Sequence, residues 1–312
     1  MTGILIKLVS TLVLVSMSAL IRGLGPEVPV GEIVFCRNFF ALIPIVIWIA
    51  SRGDVRAGLA TDKIGANLVR GILGVASMFC SFWALSRLAL PDNTAIGYAS
   101  PLVVVILAAV VLHERVRIHR WSAVGVGFCG IVIILWPHLA GGQLAAALSG
   151  GSDGAETALG ALFALFGTLL SAAAMIQVRQ LVLMGERTGT IVFYFTCFAA
   201  LTGLCTLPLG WVVPDPRTAA MFVAIGLCGG IGQLLLTACY RYADASLLAF
   251  FDYTSMIWSV TIGWFAFGDA PTAYVLVGAA IVITAGIYVI LRERKLGIAP
   301  PPLIAAAPAS LR

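Results

Sequence analysis

The sequence predicts an all-α integral membrane protein with ten transmembrane helices, arranged as two inverted repeats of five. Three observations predict this class. First, 11% of the 312 residues are charged and 61% are hydrophobic, whereas a soluble domain carries roughly a quarter charged residues. So little charge cannot cover a water-facing surface. Second, ten apolar stretches of membrane-spanning length occur, each about 20 residues. Third, one apolar element is written twice. It reads "GYASPLVVVILAAVVLHER" from Gly97 and "FDYTSMIWSVTIGWFAFGD" from Phe251. Tyr98, Ser100, Val105 and Glu114 return 155 positions later as Tyr253, Ser255, Val260 and Asp269.

The stretches are 3–23, 30–50, 66–88, 93–112 and 121–139, then 158–178, 190–211, 219–240, 246–267 and 273–291. They lack strict alternation and exceed barrel-strand length. Backbone groups in lipid must be satisfied within the segment, so each reads as a helix. The first is kept as a span because no small-residue cleavage site follows it. Residues 140–155 are Gly- and Ser-rich and read as a flexible linker. The chain then divides into a first repeat (1–139), the linker, a second repeat (156–295) and a Pro- and Ala-rich tail (296–312) that is predicted to be disordered.

Charge sets the topology. With the N-terminus in the cytoplasm, thirteen Lys and Arg residues, from Arg52 to Arg312, fall on the inner side. Only Arg22, Arg87 and Arg217 fall on the outer side. That is a positive-inside bias with both termini cytoplasmic. The net charge of +5 therefore implies no nucleic-acid partner. The partner that the composition implies is the lipid bilayer. All seven cysteines lie inside spans without CxxC spacing or His companions and read as packing residues, not as disulfides or metal ligands.

An odd number of spans per repeat makes the second repeat enter the membrane with opposite polarity. Two such halves can exchange slightly different conformations and so expose a midplane site first to one side and then to the other. This mechanics suits a carrier.

Beyond that mechanics, "FCRNFFALIPIVIW", "RGILGVASMFCSFWALSRL" and "YASPLVVVILAAVVLHERVRIHRWSAVGVGFCGIVIIL" resemble the EamA domain of the drug/metabolite transporter superfamily. The resemblance runs through almost the whole chain as two such domains. Its most specific piece is His113-Glu114-Arg115, where the family has Gly-Glu-Arg or Gly-Glu-Lys; the second copy, Gly268-Asp269-Ala270, lacks the base. The resemblance implies a ten-helix bacterial inner-membrane carrier of small organic solutes. The subgroup it is most similar to implies uptake of S-adenosylmethionine or riboflavin; the alternative is export of aromatic amino acids or amphiphilic drugs.

Ionisable groups inside spans cost about 2.5–3.5 kcal/mol each on insertion scales, so each calls for a reason. Asp252 lies too deep for an aspartate to reach water. With Ser255 and Ser259 it forms a polar stripe, read either as a substrate or proton site or as packing against Arg241. Arg37, about seven residues into span two, either snorkels outward or faces the cavity and takes a carboxylate or phosphate. Arg70 is assigned to topology marking, at the cytoplasmic edge of a stripe with Gly74, Ser77 and Ser81. Gln233, Thr237 and Tyr240 form a second stripe, and both stripes read either as cavity lining that contacts substrate or as polar packing between helices. Tyr98, Tyr253, Phe82, Trp83 and Trp258 supply flat, mostly apolar surface for a planar or amphipathic ligand.

Gly226 and Gly230, Ala123 and Gly127, and Gly160 and Ala164 are small-residue pairs that pack helices together within the chain or across a homodimer. Pro101 predicts a kink in span four, and its repeat mate is Met256. No zincin, Walker A or serine-hydrolase pattern occurs. No cofactor or metal is implied, and an intramembrane enzyme or a scaffold is the remote alternative.

Overall fold

A computed structural model describes residues 2–51, 61–111, 118–139, 154–239 and 251–295. The His113-Glu114-Arg115 loop, the linker, Tyr240, Arg241 and the tail lie outside these residues, and so does the side chain of Thr237. All the elements described are helical. They are α1 (Thr2–Leu24), α2 (Val30–Ala50), α3 (Ile64–Leu85), α4 (Leu90–Gly97), α5 (Ala99–Val111) and α6 (Ile118–Leu139). Then come α7 (Gly154–Leu183), α8 (Thr188–Leu204), α9 (Pro216–Cys239), α10 (Thr254–Ile262) with a π-helical turn (Gly263–Phe267), and α11 (Ala273–Lys295). Among the described residues eight spans are long and apolar enough to cross a membrane, one of them formed by α4 and α5 in series. Two shorter apolar helices, Thr254–Phe267 and Ala273–Val289, complete the bundle.

Turn chemistry ends the helices where the sequence changes. Gly25 and Gly268 sit at positive φ, 75° and 70°, a conformation open to glycine and strained for other residues. Pro91 and Pro216 open α4 and α9, where a missing N–H costs nothing.

Counting α4 with α5 as one segment, the described residues form ten segments, and their packing has a regular order. α1 packs on α9 and α3 on α7; α2 packs on α9 and α3 on α8; α5 packs on α7 and α1 on α10. Shifting every segment by five converts the first member of each of these pairs into the second. The contacts α2–α8, α6–α11 and α4–α10 map onto themselves.

The self-mapped pairs are antiparallel. Gly31, at the start of α2, faces Thr206 just past the end of α8, and Gly189, at the start of α8, faces Trp48 near the end of α2. Gly130 faces Gly278 and Val282, while Gly278 faces Ile134. A β-carbon on Gly130 would stand 2.8 Å from the Gly278 carbonyl oxygen, so only glycine permits this α6–α11 approach. The small-residue pairs serve the same purpose inside the chain. Gly226 and Gly230 receive Phe40 and Pro44 of α2, Gly127 receives Leu102, and Gly160 receives Leu88.

The duplicated element shows why the kink arises. The helix breaks at Tyr98 in the first copy and at Tyr253 in the second. Pro101 stands in one copy and Met256 in the other, so proline is not required for the break. Both breaks are stabilised by the contact between the copies. The two tyrosine rings meet edge to face at 5.4 Å, and Tyr98 Oη bonds Ser255 Oγ at 2.9 Å and donates to the Tyr253 carbonyl at 3.3 Å.

Candidate functional site

Six helices, α1, α2, α3, α7, α8 and α9, surround a central cavity of about 390 Å³. Its wall is mostly apolar, from Met17, Ile45, Phe82, Val178 and Phe195, with Ser81 and Gln233 among its few neutral polar groups. Both halves of the chain contribute. The lining extends to Ile45, Val178, Ile191 and Leu236, toward the face that carries the α2–α3 and α7–α8 connections.

The opposite face is tied shut. Arg22 at the end of α1 donates to Asp269 at 2.8 Å, and its guanidinium lies 5.1 Å from the Phe267 ring centroid. Asp269 also accepts the Leu90 N–H at 3.3 Å, joining the ends of α1, α4 and the π-helical turn. On the same face Glu32 accepts the Val212 N–H at 3.2 Å, and Trp211 packs on Phe35 and donates to Thr206. The described helices are thus tied together at one face, and the cavity lining runs toward the other.

Two arginines enter the cavity wall. Arg37 does not snorkel; it is 8% exposed and lines the cavity. Its Nη1 donates to Asn38 Oδ1 at 2.7 Å, while its Nε is buried without a hydrogen-bond partner. Gly229 of α9 leaves it room: a β-carbon there would stand 3.0 Å from Arg37 Nε. Arg70 corrects the reading as a topology marker. It lines the cavity, its guanidinium carbon 4.2 Å from the Phe195 ring centroid, and its Nε and Nη1 are buried without hydrogen-bond partners. A β-carbon on Gly74, one turn along, would collide with that Nη1. Its stripe mates Gly74, Ser77 and Ser81 also line the cavity, with Ser77 Oγ donating to the Gly167 carbonyl at 2.7 Å.

The other candidates separate. Phe82, Ser81 and Gln233 join Arg37 in the lining. Tyr98, Tyr253 and Ser255 meet one another in the packed contact between the repeated elements. Trp83 packs on Phe163 at 4.5 Å under the guanidinium of Arg87. Trp258 packs at the edge of the apolar core around α1 and α2, its Nε1 buried without a partner. Asp252 is paired with Lys7 of α1 at 2.5 Å; the lysine side chain is 1% exposed and the aspartate 50%. Sequence reasoning missed this partner. The available signal was a lysine six residues into an apolar run, which has the same cost as any buried charge. Among the described residues no group of His, Cys, Asp or Glu could hold a metal ion.

The architecture is that of a multi-pass helical membrane protein with a solute-sized cavity walled by both halves of the chain. The family model described as the EamA-like transporter family matches residues 1–136. A riboflavin transporter of Rhizobium johnstonii is 31% identical over 242 residues, covering 77% of this chain and 74% of that protein. The chain belongs to the EamA-like transporter family, and is a multi-pass inner-membrane transporter of a small molecule rather than an enzyme. A pseudopaline exporter of Pseudomonas aeruginosa is 28% identical over 290 residues, with 91% and 94% covered. An S-adenosylmethionine uptake transporter of Rickettsia prowazekii is 25% identical over 272 residues, with 87% and 86% covered. One solved crystal structure shares the fold with a TM-score of 0.64 at 21% identity, over 95% of this chain and 98% of that one.

Proposed function

We propose that this protein is a secondary transporter that moves a small organic metabolite across the bacterial inner membrane by alternating access between two inverted five-helix repeats, with both termini cytoplasmic. The observation that carries the reading is the asymmetry of the bundle, with a cavity whose lining runs toward one face and the Arg22–Asp269 pair closing the other. That is one end state of a rocking cycle. Exchange of the two repeats' conformations would release the latch and close the cavity's present mouth. Arg37, Ser81, Phe82 and Gln233 are the proposed substrate contacts. Uptake and export differ only in which gradient drives the same cycle.

Counterflow in proteoliposomes tests the reading. The labelled panel contains S-adenosylmethionine, riboflavin, pseudopaline, aromatic amino acids and neutral amino acids; the first three are chosen from the names of the relatives. Saturable exchange of a compound by folded protein is expected. Folded protein that exchanges no organic solute would refute the carrier reading. Asp252→Asn runs alongside. Loss of exchange in folded variant protein assigns Asp252 to coupling, and retention leaves it as the counter-charge of Lys7.

A further inference from the structure

The charges of the bundle sort into two kinds. Lys7 faces Asp252, and Arg22 faces Asp269. Arg37 and Arg70 form no ion pair among the described residues, and each keeps buried guanidinium nitrogens without hydrogen-bond partners. They lie on adjacent, packed helices and line one cavity. Two uncompensated guanidinium groups in a mostly apolar chamber are costly unless something supplies the opposite charge. Glycines at 229 and 74 give the two side chains their room: a β-carbon at Gly229 would crowd Arg37 Nε, and one at Gly74 would collide with Arg70 Nη1.

Resting on the carrier reading above, we propose that Arg37 and Arg70 form a two-point oxyanion site, and that the transported solute is a compact organic anion bearing two carboxylate or phosphate charges on a partly apolar body. Planar guanidinium forks match the geometry of both oxyanions and pair with them in two-bonded fashion. Ser81 and Gln233 supply neutral hydrogen-bond partners, and Phe82 and Phe195 supply apolar wall. A cationic solute meets like charge on two sides, and a neutral one leaves both arginines uncompensated.

Two measurements test this separately from transport. Melting of detergent-purified full-length protein is followed with succinate, 2-oxoglutarate, phenylsuccinate and glycerol 3-phosphate, against the corresponding dimethyl esters and glycerol. The acids are expected to raise the melting temperature in a concentration-dependent way, and the neutral compounds are not. Arg37→Gln and Arg70→Gln should each weaken that response about tenfold or more, as for loss of one charge-assisted pair. Arg→Lys at each position should restore part of it. Comparing the carboxylates with glycerol 3-phosphate decides which oxyanion is preferred.

In the absence of added anion, the two glutamine variants should melt at or above the wild-type temperature, because they remove charges that lack a resident partner. A fall in melting temperature in both would mark them as structural and overturn the proposal. An absence of any acid-dependent shift in the wild type would overturn it too. Counterflow with the same probes separates the two readings. Anion stabilisation without any exchange retains the site and removes the carrier. Exchange of neutral or cationic solutes, indifferent to both substitutions, retains the carrier and removes the site.

Discussion

Helix α1 and the helix pair α2–α3 treat positive charge in opposite ways. Lys7 and Arg22 of α1 each meet a carboxylate from the second half of the chain, Asp252 and Asp269. Arg37 and Arg70 meet none among the described residues and face the cavity instead. The difference teaches that a charge inside the membrane has two distinct justifications. One cation is neutralised by its own protein and so holds helices together. The other is left for a guest. The distinction could not be drawn from residue type or depth alone, because Lys7, Arg37 and Arg70 all lie in apolar runs.

The sharpest way to break the comparison is to remove the acid from the deepest pair. Asp252→Asn leaves the Lys7 ammonium buried without its carboxylate. Breaking a buried pair from one side typically costs 3–5 kcal/mol, and the half-exposed Asp252 places this case near the low end, about 3 kcal/mol. Thermal unfolding in detergent should show a lower midpoint, with Lys7→Met in the same background recovering most of the loss. An unchanged midpoint for Asp252→Asn would erase the contrast between the two classes of cation.

A smaller effect is expected at the closed face. Arg22→Ala removes a partly exposed pair of about 1 kcal/mol, which corresponds to roughly a fivefold shift in population toward the state open on that side. Labelling of a Met17→Cys reporter in a cysteine-free background by an impermeant maleimide added from each side reads that shift. Equal labelling with and without Arg22 would mean that the latch does not set the resting state.

The smallest effect concerns an acid outside the membrane that has no cation. Asp215 accepts the N–H groups of Arg217 and Thr218 at 3.2 Å each and caps α9. Hydrogen bonds from Thr218, first among the causes, hold its carboxyl below the ordinary aspartate range. Its depressed value means the stabilisation is complete above the unfolded-state value, about 4, and is lost as pH falls through the lower folded-state value. Asp215→Ala should therefore lower the midpoint slightly at neutral pH, and the difference from wild type should vanish in strong acid. A difference that persisted in acid would show that the capping bonds are not the source.

The sequence makes much of this protein legible. Apolar length foretells the helices, and among the described residues eight are of spanning length while α10 and α11 are shorter. The twice-written Tyr-x-Ser element foretells that the fourth and ninth segments are equivalent, and the structure brings Tyr98 and Tyr253 into contact. It did not foretell that this contact would be packed apolar core and not cavity, because alternate faces of an apolar helix look alike in a sequence without charge. Arg70 was misjudged for a related reason. A residue near a helix end is at the interface only if the bundle is solid there, and here the cavity extends to that depth.

By itself the sequence determined the medium, the helical content, the two-fold repetition and the ionisable residues that need an explanation. These are properties of segment length, composition and spacing, which are local along the chain. Only the tertiary structure decided which charge meets which, since Lys7 and Asp252, or Arg22 and Asp269, are far apart in sequence and adjacent only after the halves interlock. It also decided which glycines make room for a guanidinium and which are helix contacts. Coulomb and packing energies depend on distances of a few ångströms, and those distances exist only once the helices have been assembled.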